Sequence, residues 1–234
     1  NERDGIQMTL ISPFAGLRPV DARAADVVAP PYDVLNSAEA RERAKGRPWS
    51  FLHISKAEID LPEATDPYDA SVYAKAAENL HKMISAGVLK RDSEPCYYVY
   101  RLRMGEHVQT GLVAAASVAD YDSNRIRKHE FTRPAKEDDR VRQIEALNAQ
   151  TGPVLLAYRS DPVVDKLIDA VTAGAPEYDL TADDAIRHTL WVVSDQSAIE
   201  RLSSEFDRME ALYIADGHHR SAAASRVAAK LDRG

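Results

Sequence analysis

Residues 212–226 read LYIADGHHRSAAASR. An apolar run, 211–216, gives way within two residues to an alanine-rich run, 218–231. The first has the pattern of a short strand and the second that of a helix, with Asp216-Gly217 as the handover. Gly217 permits a tight turn and lets a ligand approach the backbone. The amides that follow lie at a helix N-terminus, where unpaired N–H groups and the dipole favour an anion. Arg220 adds a planar, permanently charged donor fork suited to phosphate. His218 and His219 add titratable donors, and Ser221 a hydroxyl. Ala222, Ala223 and Ala224 let the helix pack close to its sheet. Together these features point to an anion, most simply a phosphate of a nucleotide. The bland alternative is that Asp216 only caps the helix and the histidines bond their neighbours. Adjacent helical residues point about 100° apart. His218 and His219 therefore do not chelate one metal together, and no zinc site is expected.

Upstream of this junction, strands and helices alternate. PVLLAYR (153–159) and TLWVVSD (189–195) read as strands, and 161–174 and 197–209 as helices. That pattern predicts helices packed on a sheet. CYYVYRLRM (96–104) and 107–121 read as a hairpin across Gly105, so the sheet is not purely parallel. The expected fold class is α+β, a mixed sheet with packed helices. The strongest helix spans 66–87, with Asp66 as cap, Pro67 at its first position and Gly87 at its end. Val72, Ala76, Leu80, Met83 and Ile84 recur on one face of it. A shorter helix is expected over 37–46, capped by Ser37 and stopped by Gly46, and a strand over WSFLHIS (49–55). The first 50 residues, with five prolines, read as short strands and turns. A single unit, 1–234, is the expectation. The alternative is a division near 121–125 into halves 1–121 and 122–234, the second binding phosphate.

Composition narrows the function. The 234 residues carry 30 Lys and Arg against 37 Asp and Glu, a net charge of −7, which counts against broad coating of nucleic acid. Hydrophobic residues at 44% and charged residues at 29% exclude disorder of the whole chain. The single cysteine, Cys96, excludes an intramolecular disulfide and a Cys-rich zinc site. No apolar run approaches the roughly 20 residues of a membrane helix, and NERDGIQMTLISPF lacks a signal-peptide core. A soluble cytoplasmic protein is expected. GxxxxGK(S/T), GxGxxG, HExxH, GxSxG and CxxC are all absent.

Two further stretches carry candidates. RIRKHEFTRPAKEDDR (125–140) is either a solvated charged segment or a loop that reaches over a nucleotide. On the second reading Lys136 or Arg140 neutralises phosphate oxygens. Glu130, Glu137 or Asp138 then holds Mg²⁺ or accepts a proton from a hydroxyl, and the pattern does not rank these carboxylates. In APPYDVL (29–35) the double proline sets an extended backbone before Tyr32 and Asp33. Asp33 is either a fixed functional carboxylate or part of an Asx-turn. Arg18, in PFAGLRP (13–19), is a phosphate or carboxylate clamp or a surface ion-pair partner. Arg18 and Tyr32 are the candidates for holding a substrate. Tyr97, Tyr98 and Tyr100 read as strand packing, and His53 and His81 as structural.

PFAGLRP, APPYDVL, SFLHIS (50–55), DPYxxxVYAKAAENL (66–80), KHEFT…KEDDR (128–140) and IADGHHRSAAA (214–224) together resemble the prokaryotic family called domain of unknown function 1015. The resemblance covers essentially the whole chain with the motifs in order. Chains of that family continue beyond the last helix here, so the resemblance implies a fragment lacking a C-terminal part with a Pro-Tyr-Asn-Arg-type motif. More distantly, Gly217-His218-His219-Arg220 is similar to the Gly-x-x-Arg box of the ParB/sulfiredoxin superfamily, which binds nucleotide phosphates at a helix N-terminus. His218 stands where sulfiredoxin has its reactive cysteine, so sulfiredoxin chemistry is not implied. The resemblance implies an ATP-dependent kinase, with ATP and Mg²⁺ as cofactors and free L-serine as candidate substrate. Gly217, His218, His219, Arg220 and Ser221 would hold the phosphates, aided by Lys136 or Arg140. Asp33, Glu130 or Asp216 would be the catalytic carboxylate, and Glu137 or Asp138 would hold the metal. The alternatives are a nucleotide-binding switch or DNA-associated module without turnover, and a phosphatase using the same pocket. No basic recognition helix supports the DNA reading.

Overall fold

The computed structural model of the chain describes residues 9–231. The architecture is α+β, with helices and mixed sheets. The chain forms two compact units, each assembled from three segments. One comprises the stretch up to Gly16, Arg91–Lys128 and Leu156–Tyr213; the other comprises Leu17–Lys90, His129–Leu155 and Ile214 onward. A single cut near 121–125 therefore does not describe the division.

In the first unit, four antiparallel strands lie in the order His107–Val113, Tyr97–Met104, Arg187–Val193 and Tyr178–Thr181. The hairpin turns at Gly105, whose φ of 59° lies in the left-handed region that glycine reaches at little cost. The strand at 178–181 has no counterpart in the sequence reading. Along Arg187–Val193, Thr189, Trp191 and Val193 are buried and their neighbours are not, the period-2 signature of a half-buried strand. The helices Pro162–Thr172 and Gln196–Asp207 supply the covering face through Val164, Ile199, Leu202 and Phe206. Leu212 and Tyr213 pair in parallel with Ile126 and Arg127. Tyr97 and Tyr98 are buried, as strand packing predicts.

In the second unit, the helices Ala70–Ser85, Pro134–Leu147 and His218–Leu231 pack in sequence, the middle one against both others. Val72, Ala76, Leu80 and Met83 enter the core with Ile54, Val88 and Leu147. Ile84 is 42% exposed, and Tyr73 is buried on the helix instead. The helix starts at Ala70, because Asp69 accepts the Ser71 N–H at 2.8 Å. Asp66 caps an earlier turn, accepting from the Tyr68 N–H at 2.9 Å. Likewise Asn36, not Ser37, caps Ser37–Ala44, in a reciprocal capping box with Glu39.

The expected strand at 49–55 is instead a short helix, Leu52–Ser55. Ser55 N–H donates to the Phe51 carbonyl at 2.9 Å and Lys56 N–H to that of Leu52 at 2.8 Å. Leu52 packs with Ala40, Ala44 and Ile59, whereas Ile54 joins the other cluster. On a strand, residues two apart share a face; on a helix they diverge by about 200°. Two cores on opposite sides of one short segment require the helix. Among the described residues no helix is long and apolar enough to cross a membrane.

Candidate functional site

Every residue that lines the site belongs to the second unit. Asp216 closes the strand Leu212–Asp216, Gly217 turns with φ +97°, and the helix His218–Leu231 begins at once. A cavity of about 370 Å³ opens in front of this corner. Gly217, His218, His219 and Arg220 line it, with Tyr32 and Asp33 from the turn after Pro31. Glu130 comes from the loop before Pro134–Leu147, and Lys136, Asp139 and Arg140 come from that helix. Ten of the sequence-derived candidates thus meet at one cavity: Tyr32, Asp33, Glu130, Lys136, Arg140, Asp216, Gly217, His218, His219 and Arg220.

The remaining four lie elsewhere. Arg18 sits on the strand Leu17–Pro19, outside the cavity lining. The Ser221 hydroxyl donates to the Gly217 carbonyl at 3.2 Å, so it closes the first helical turn. Glu137 and Asp138 hold Arg226 at 3.2 and 2.6 Å. Glu137 also accepts the Thr132 hydroxyl. These two carboxylates are paired with Arg226 and do not line the cavity.

Arg220 is fixed on several sides. Its guanidinium donates to the Pro153 carbonyl and to Asp216. A Cβ on Gly217 would stand 3.2 Å from that guanidinium, and one on Gly152 3.1 Å from the Arg220 Cδ. Two glycines make room for this one side chain. Arg140 is held by Asp139 at 2.6 Å and lies over the Tyr32 ring, 4.2 Å from its centroid. Asp139 also accepts the Tyr73 hydroxyl at 2.7 Å. Burial pushes the Tyr32 phenol above its usual value, so it is a neutral donor at the cavity wall.

The two adjacent histidines have different roles. His219 Nε2 accepts the Arg133 N–H at 3.0 Å, which fixes the neutral tautomer and tethers the 129–133 loop to the helix. Burial first, then Lys136, lowers its pKa below 6.5. A folded-state value below the unfolded one means that the contribution is present above pH 6.5 and lost as acid protonates the ring. Acidification should therefore accelerate hydrogen exchange at the Arg133 amide beyond the intrinsic trend. In His219→Gln this extra acceleration should vanish; its persistence would mean that another group titrates the loop.

His218 is 5% exposed. Its Nδ1 lies 3.4 Å from the Glu130 carboxylate, and its ring meets His129 edge-on at 4.5 Å. Two buried side-chain polar atoms lack a hydrogen-bond partner among the described residues, Ser55 Oγ and His218 Nε2. Both residues line this cavity. Unpaired buried polar groups are destabilising and uncommon, and here two of them meet at one cavity.

Ser55, Lys56 and Glu58 are functional candidates that the sequence reading passed over. Lys56 and Glu58 form a nearly buried ion pair at 3.0 Å, and the Ser37 hydroxyl donates to Glu58 at 2.8 Å. Their one local signal is a Lys-x-Glu step after an apolar segment. Reading that segment as a strand hid the turn that aims both at the cavity.

The fold is that of an α+β protein in which a strand-to-helix turn faces a cavity. The profile of the family described as Protein of unknown function (DUF1015) matches residues 11–234, and the chain belongs to that family. No curated protein and no solved structure matches it.

Proposed function

We propose that this is a cytoplasmic phosphotransferase that binds ATP and moves its terminal phosphoryl group to the hydroxyl of a small molecule, free L-serine being the first candidate. One observation carries the reading. Gly217 turns the backbone so that a helix N-terminus, the Arg220 fork, Lys136 and Arg140 border a single cavity. Phosphoryl transfer asks mainly for positioning and charge neutralisation, which such groups supply. Arg220 and Lys136 take the phosphate oxygens. Asp33, held on the turn after Pro31, receives the acceptor's proton. The acceptor oxygen bonds to the terminal phosphorus, the bond to the bridging oxygen breaks, and ADP leaves. The buried Lys56–Glu58 pair and the Ser55 hydroxyl offer opposite charges and a polar contact to a zwitterionic acceptor. A divalent ion bound with the nucleotide would supply further charge neutralisation; Glu137 and Asp138, paired with Arg226, lie outside the cavity lining.

The cavity walls also hold Asp33, Glu58, Glu130, Asp139 and Asp216. Such mixed charge suits a two-substrate site better than an anion sink. The test is incubation with ATP, a divalent ion and each free amino acid, followed by phosphorus NMR. The expected result is a phosphorylated hydroxy amino acid formed one-for-one with ADP. ATP binding without turnover would place the protein among nucleotide-controlled switches. Phosphate released from phosphoserine without nucleotide would make it a phosphatase. Failure of calorimetry to detect any nucleotide binding would remove the proposal.

A further inference from the structure

We infer that His129, Glu130 and His218 bind a first-row divalent transition ion such as Zn²⁺, Mn²⁺ or Fe²⁺. Each of the three offers one ligand atom, and these atoms lie within 4.8 Å of one another. The Glu130 carboxylate stands 3.4 Å from His218 Nδ1 and 4.0 Å from His129 Nε2. Ligands about 2.1 Å from a tetrahedral or octahedral ion sit roughly 3.0–3.4 Å apart. The His218–Glu130 edge already has that length, and the other two, which start within 4.8 Å, close by at most about 2 Å. The side chains that must move are the open ones: His129 is 60% exposed and Glu130 62%, while the His218 side chain is 4% exposed. One ligand is thus rigid and two are adjustable.

The second, independent sign is His218 itself. It is 5% exposed and held in place, and it turns Nδ1 toward the Glu130 carboxylate at 3.4 Å, so one nitrogen is already aimed at the other ligands. The sequence argument against His218 and His219 as joint ligands stands, because the second imidazole comes from His129 on the loop. Two imidazoles and one carboxylate favour borderline metals; Mg²⁺ and Ca²⁺ prefer oxygen alone. Three protein ligands leave coordination positions open, as in sites that polarise a bound water or a substrate oxygen. His218 and Glu130 line the cavity, so a ligand held there can reach the ion. The site stands whether or not the cavity takes a nucleotide. If both hold, Glu130 is a metal ligand and Asp33 keeps the proton.

The experiment uses the full chain, stripped with a chelator and dialysed. Calorimetry with Zn²⁺ is expected to show one equivalent bound, and Co²⁺ loading to give visible d–d absorption. His129→Ala and Glu130→Gln change exposed side chains, so both variants should keep the native melting temperature. Each should weaken Zn²⁺ binding at least about 100-fold, because a ligand atom is lost. Mg²⁺ should not compete at equal concentration. His81→Ala, an exposed histidine on the 70–85 helix, should bind as the parent does. Absence of Zn²⁺ binding, equal binding by His129→Ala and Glu130→Gln, or loss on His81→Ala would each overturn the site. Failure of these metal measurements leaves the nucleotide titration unaffected, so the two proposals are separable.

Discussion

Replacing Arg220 by alanine is expected to weaken ATP binding by about 30- to 150-fold, the equivalent of about 2–3 kcal/mol for a charged hydrogen-bonded contact. The guanidinium also bonds Pro153 and Asp216, so the variant should lose stability as well. Arg220→Lys separates the two effects. It retains the charge but not the planar fork, and an ammonium cannot span both partners in the same way. Lysine should therefore restore part of the binding, through charge, and little of the tethering to Pro153. Gly217→Ala attacks the same corner from the backbone. It forces a non-glycine residue to φ +97° and sets a methyl 3.2 Å from the guanidinium. The strain alone costs about 1–3 kcal/mol. Calorimetric ATP titrations and thermal melts of the three variants form the test. A fall in melting temperature with unchanged ATP affinity would make Arg220 a purely structural residue, and the phosphotransferase reading would fall with it.

What the sequence could and could not reveal follows from the range of each interaction. The junction at 212–226 is legible because strand, turn glycine and helix follow one another, and each is set by residues at most a few positions away. The stripe of Val72, Ala76, Leu80 and Met83 is legible for the same reason: its period is that of the helix it forms. The cap at Asp69 was misplaced because Asp66-Pro67 carries an equally good local signal, and Asp66 does cap a turn there. The segment at 49–55 failed for a non-local reason. Its short apolar run reads as a strand, yet its residues feed two separate clusters, and nothing within the segment records that. Long-range placement decides the site as well. His129 and His218 touch across 89 positions, and Glu137 and Asp138 are taken by Arg226, which lies on the last helix. A carboxylate's availability depends on such partners, so the acidic residues of 130–139 could not be ranked from their order.

Gly16→Ala is expected to cost about 2–4 kcal/mol of stability, through overpacking and disrupted buried hydrogen bonds. Within PFAGLRP, the added Cβ would stand 2.6 Å from the Tyr98 hydroxyl oxygen and 3.0 Å from the ring carbon bearing it. That hydroxyl cannot retreat. It accepts the Gly16 N–H at 2.8 Å and donates to the Asp92 carboxylate at 2.6 Å. The ring is 4% exposed and tilts against Phe14 at 5.3 Å. Burial first, then the Asp92 bond, raises the Tyr98 pKa. A raised folded value means that the contact's contribution is present below the ordinary value of 10.0 and lost as alkali ionises the phenol. A double-mutant cycle in urea isolates the clash. Tyr98→Phe alone should cost about 1–3 kcal/mol, since the Gly16 N–H and Asp92 lose a buried partner. With the hydroxyl gone, the alanine methyl meets only ring carbons, at 3.0 and 3.3 Å, so the double variant should be less destabilised than the sum of the singles. Strict additivity would show that Gly16 and Tyr98 do not constrain each other. The motif's glycine would then have to be explained by its backbone rather than by the space above it.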